Sequence, residues 1–93
     1  MELYRRLPLV EWQASPGRIH VSPPTGEPHD LVGGAAMVWA VLDRPRSLRG
    51  IMAELSDLEP ALDEGQVLGI IASMMSASLV AKYSDDVSKE IAV

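Results

Sequence analysis

The chain predicts an α+β fold in which a three-stranded antiparallel sheet is followed by three helices. Three observations lead there. The first third is crowded with turn signals: "SPG" at Ser15–Gly17, "SPPTGEP" at Ser22–Pro28 and "GG" at Gly33–Gly34. Between them, Arg18-Ile19-His20-Val21-Ser22 alternates polar and apolar, the period of a half-buried strand. Beyond Ala35 the apolar residues recur at helical spacing instead.

The strands are expected at Leu9–Gln13, Arg18–Ser22 and Pro28–Val32, joined as two hairpins. Pro23 and Pro24 stand back to back between them. Proline cannot donate to a ladder, so these strands are short and lie at edges or end at turns. The first helix is expected over Ala35–Leu42, "AAMVWAVL", apolar on nearly every side as a buried helix should be. Pro45 disfavours helix at Arg44 and stops it. Ser47 then serves as N-cap for a second helix, Leu48–Leu58, whose Leu48, Ile51, Met52, Leu55 and Leu58 share one face. Pro60 marks its end. Asp63 caps a third helix, with Glu64 favouring the dipole in its first turn, and the helix runs to about Val80. The polar tail Ser84–Val93 is expected to fray.

A length of 93 residues suits one domain, here residues 1–83 with the tail beyond. Cysteine is absent, which excludes a disulfide framework and a thiolate metal site. The formal charge of -5 is uneven: net +1 over residues 1–50 and net -6 over residues 51–93. An acidic helical half argues against nucleic acid as partner, because phosphate binding needs basic residues on the docking element. No targeting signal precedes "MELYRRLPLVEW", so the cytoplasm is the expected location.

One segment stands out. No charge occurs from Gly65 to Ala81, around "VLGIIASMMSASLV" at Val67–Val80. Those 14 residues fall short of the roughly 20 needed to span a bilayer, so no membrane is expected as partner. On a helix, Val67, Ile70, Ile71, Met74 and Ser78 form one stripe. Leu68, Ala72, Met75 and Leu79 form another, about 100° away. A surface helix needs one apolar stripe, so the second suggests a ligand groove, and the flexible thioethers of Met74 and Met75 suit an adaptable surface. The same pattern also fits a helix buried on both sides, or a homodimer interface.

Other candidates are weaker. His20, His29 and Asp30 lack the spacing of a metal set, and no cofactor is implied. Gly33-Gly34 is followed by no Gly-Lys-Ser/Thr and reads as a strand-to-helix turn. Arg44, Arg46 and Arg49 read as a solvated loop and helix start, or as a contact for acidic partner residues. Trp39, among apolar neighbours, reads as a core anchor. No nucleophile–base constellation is visible, so no enzymatic activity is expected.

"TGEPHDLVGGAAMVWAVLDRPRSLRGIMAEL" and the segment ending in "SLVAKY" resemble the PqqD-like proteins, the recognition elements for precursors of ribosomally made, modified peptides. The likeness spans roughly residues 9–83 and rests on Thr25, Gly26, Leu31, Ala35, Ala36, Trp39, Leu42, Ser47, Ile51, Leu55, Leu79 and Val80. "W…TGEPHDL" looks closest to the subgroup found beside kinase-like proteins related to HPr kinase. The chain departs from the family pattern at Ser78, where a glycine is usual before the final Leu-Val.

The resemblance implies a winged helix-turn-helix-like domain without catalysis of its own. It would bind the leader of a precursor peptide by strand addition and deliver it to a peptide-modifying enzyme. His29, Asp30, Leu31 and Val32 would then pair with the leader backbone. Val67, Ile70, Ile71 and Met74 would line the groove, with Leu68, Ala72 and Met75 as the alternative wall. The competing expectation is a winged-helix, DNA-binding transcriptional regulator. Against it, the third helix offers only Gln66 as a base-reading side chain, and the second only Arg49.

Overall fold

A computed structural model describes residues 2–58 and 62–84. The element order is β1 (Glu2–Arg6), β2 (Glu11–Ser15), β3 (Arg18–Ser22), β4 (His29–Leu31), α1 (Gly34–Val41), α2 (Leu48–Leu55), α3 (Glu64–Ser76) and β5 (Val80–Ser84). The α+β class, the three-stranded antiparallel sheet β2-β3-β4 and the three helices all stand. Pro60 and the tail beyond Ser84 lie outside the described residues.

The sheet is built as the turn signals require. Pro16-Gly17 joins β2 to β3 in the register Trp12↔Val21, Ala14↔Ile19, and β4 returns along β3 with Ile19↔Leu31 and Val21↔His29. Ile19, Val21 and Leu31 are buried on one face, while Arg18, His20 and Asp30 are exposed on the other. The first strand begins two residues later than expected. Val10 N–H donates to Leu7 C=O, so "LPLV" forms a turn with Leu9 in solvent, and its apolar run is not the strand.

The helix starts follow local chemistry. Gly33 takes φ 57°, ψ -129°, which only glycine adopts without strain, and its C=O accepts the first α1 bond from Met37. Ser47 Oγ accepts from Gly50 N–H at 3.1 Å to cap α2. Asp63 Oδ1 accepts from Gln66 N–H at 2.7 Å and Gln66 Oε1 from Asp63 N–H at 2.9 Å, a reciprocal capping box on α3.

The chain end differs most from expectation. The last helix stops at Ser76, and Val80–Ser84 is a strand paired antiparallel with the unforeseen β1, Leu3↔Tyr83 and Arg6↔Val80. The stop is a Schellman motif: Leu79 N–H donates to Met74 C=O at 2.9 Å and Ser78 N–H to Met75 C=O at 3.1 Å. Ser78 sits at φ 62°, in the left-handed conformation that the motif demands. Leu79 and Met74, both buried, close the apolar contact that accompanies it. The second helix likewise ends early, at Leu55, and Leu58 lies beyond it.

Two contacts fasten β1 to the helices. Tyr4 exchanges both backbone hydrogen bonds with Arg46, at 2.8 and 3.0 Å. Arg6 donates to the carbonyls of Trp39 and Ala40 at the end of α1, and its guanidinium lies 4.8 Å from the Trp12 ring and 4.9 Å from the Trp39 ring. Trp39 is fully buried at the centre of a single core that draws on both sheets and all three helices.

Ser78 bears a side chain where the motif favours glycine. Ser78→Gly removes a left-handed penalty of about 1–2 kcal/mol, partly offset by about 0.4–1 kcal/mol of added unfolded-state freedom. The expected result is a net gain of about 0.5–1 kcal/mol, read as a higher urea midpoint. An unchanged or lower midpoint would contradict it.

Candidate functional site

Strand β4 is an edge: β3 pairs along one side of it, and no described strand pairs along the other. Antiparallel geometry turns every second residue's N–H and C=O away from the partner strand, so this edge presents unpaired backbone groups. Helix α3 runs beside it. Between them lies a cavity of about 730 Å³. His29, Asp30 and Leu31 form the strand side, Gly34 and Ala35 the start of α1, and Leu62 one end. The helix side consists of Gln66, Gly69, Ile70, Ser73, Met74 and Ala77, with Leu79 beyond.

The helix contributes residues at i, i+3, i+4, i+7, i+8 and i+11 from Gln66, one continuous face. Its neighbour at Val67, Ile71 and Met74 is the core face, with exposures of 0%, 1% and 2%. Of the helix residues expected in the groove, therefore, Ile70 lines it, Met74 reaches it from the core, and Val67 and Ile71 are core. The alternative wall of Leu68, Ala72 and Met75 does not line the cavity, and Leu68 is exposed. Of the strand residues, His29, Asp30 and Leu31 line it and Val32, 58% exposed, does not.

Gly34 lets Ile70 and Leu62 pack closely over the start of α1. A Cβ there would lie 3.0 Å from Ile70 Cδ1 and 3.2 Å from Leu62 Cδ1. The Gln66–Ile70–Ser73–Ala77 stripe was not foreseen because it is mixed in polarity, and apolar periodicity selects the core face beside it. Its usable signal is its small residues: Gly69, Ser73 and Ala77 leave volume beside the larger core stripe of Val67, Ile71 and Met74.

A second cavity of about 430 Å³ continues from the first and shares His29, Ser73 and Ala77 with it. Thr25, Gly26, Glu27, Ser76 and Ser78 complete its lining. Neither cavity is lined by lysine or arginine.

On the outer face of the same strands, His20 Nδ1 pairs with Asp30 Oδ1 at 2.8 Å and Arg18 Nη1 with Oδ2 at 3.4 Å. His20, His29 and Asp30 make no metal set: no group of three or more His, Cys, Asp or Glu among the described residues could hold an ion. Arg46 is held by Val41 C=O, Asp43 and Glu54. None of the described helices is long and apolar enough to cross a membrane.

No family model, curated protein or solved structure matches the chain.

The hydrogen bond with His20, and then the nearby Arg18 charge, hold the Asp30 carboxyl below the usual aspartate range. With the folded-state pKa depressed, this support of the β3–β4 pairing is full above the ordinary aspartate pKa. It fades as pH falls through the lower folded value. His20→Ala is expected to move the Asp30 titration up toward the ordinary range, as followed by carboxyl carbon NMR. An unmoved titration would contradict the assigned cause.

Proposed function

We propose that this protein is a PqqD-like, non-catalytic recognition module that binds the leader of a precursor peptide and presents it to a modifying enzyme. One observation carries the reading: a cavity of about 730 Å³ lies between α3 and the edge of β4 that no described strand pairs. An extended peptide entering there adds a fourth strand to β2-β3-β4. Backbone pairing supplies affinity that tolerates sequence, and the cavity selects side chains.

The lining suits that task. Ile70, Leu31, Leu62 and Leu79 offer apolar surface, and no charged side chain of α3 must be desolvated when a ligand enters. Gly34 and Gly69 let a ligand side chain approach backbone closely. A DNA-reading role draws less support, because the exposed start of α3 carries Asp63 and Glu64.

The test is a titration with short peptides encoded beside the gene. Ile70→Asp keeps the fold, because Ile70 is only half-buried, and weakens leader binding by about tenfold or more, about 1.4 kcal/mol. Ile71→Asp, one residue on, buries an unpaired carboxylate and unfolds the chain. Circular dichroism separates the two. A folded Ile70→Asp variant that binds the leader at full strength would refute the groove.

A further inference from the structure

The groove is chemically asymmetric along its length. Near Leu31 the lining is aliphatic, where Leu62 and Ile70 close over Gly34. Past His29 it becomes a chamber of hydroxyls, Thr25, Ser76 and Ser78 among them, with one carboxylate, Glu27. Among the described residues Glu27 has no ion-pair partner. The cavity's other carboxylate is engaged elsewhere, because Asp30 is held by His20 and Arg18 on the outer face of the sheet.

From this asymmetry, and resting on the peptide-groove reading, we propose the ligand's chemistry. The groove takes an extended peptide bearing an aliphatic side chain and, about four residues from it, a lysine or arginine. The spacing follows from the strand. Leu31 and His29 lie on one face of β4, and Glu27 lies two residues before the strand, in the lining of the adjoining chamber. A paired strand facing Leu31 and Glu27 therefore presents two side chains on one face about four residues, or about 13 Å, apart. The aliphatic chain packs against Leu31, Leu62 and Ile70. The cationic head reaches Glu27 and the surrounding hydroxyls, and no arginine or lysine of this lining repels it.

The experiment uses synthetic host peptides of alternating Ser, Thr and Val. Each carries one leucine and, four positions away, either lysine or glutamate, and both orders are made so that either strand direction is covered. Binding to the full chain is followed by amide NMR shifts, which read weak affinities. The lysine peptides are expected to move Gly34, Ile70 and Ser73 and to bind about threefold or more tighter than the glutamate peptides. Glu27→Lys, at an exposed position, keeps the fold and reverses the preference. Salt of about 0.5 M removes the preference and leaves the shifts at Gly34 and Ile70. Equal binding of the two series, or a preference unchanged in Glu27→Lys, would overturn the charge assignment and leave the groove standing. Absence of any shift at Gly34, Ile70 and Ser73 with every peptide would overturn both.

Discussion

The placement of α3 is the constraint on which the rest depends. Val67, Ile71 and Met74 lock one face of the helix into the core, and each such burial stabilises by about 1.5–3 kcal/mol. With that face set, the helical repeat leaves Gln66, Ile70, Ser73 and Ala77 turned toward β4. Small side chains there keep the helix from closing onto the strand. The cavity is thus a consequence of two adjacent stripes with different volumes, one filling the core and one leaving space.

The end of α3 matters as much as its face. The Schellman turn at Ser78 reverses the chain, buries Leu79 and sends Val80–Ser84 antiparallel along β1. Had the helix run on to Val80, β1 would have lost its partner and Leu79 its buried position. Arg6 then ties the β1–β5 pair to the other sheet. Its guanidinium satisfies carbonyls at the end of α1 and stacks between Trp12 and Trp39, whose rings meet edge to face at 6.2 Å. Desolvation in this setting lowers the Arg6 pKa from its ordinary value, with Asp43 acting in opposition. The two sheets share no hydrogen-bonded ladder among the described residues, so this stacked cation and the common core hold them in register.

The groove combines two kinds of surface. Strand β4 is too short to present much apolar area, but its outer edge offers backbone groups to any extended chain. The face of the helix that lines the cavity offers side-chain volume and no charge. Cross-strand pairing of Asp30 with His20 and Arg18 ties the strand to β3 on its outer face. In the proposed function, a leader peptide would meet a strand already ordered by its inner neighbour, which would reduce the ordering cost of binding.

Local signals in the sequence determined the helix caps at Ser47 and Asp63, the Gly33 turn, the alternation of β3 and the burial of Trp39. Each depends on side chains within a few residues of one another, so each is legible in one dimension. Tertiary structure decided the rest. Strands β1 and β5 pair across almost the whole chain, and neither alternates clearly enough to be seen alone. The uncharged run could be read as helix through Val80 because apolar periodicity does not register a left-handed serine. Which of two adjacent stripes faces the core depends on what lies opposite them: α3 packs on α1 and β5, which sets Val67 and Ile71 in the core, whereas the edge of β4 leaves Ile70 facing a cavity. Periodicity measures how apolar residues repeat on a helix, but only packing against distant elements sets the rotation of that helix about its own axis.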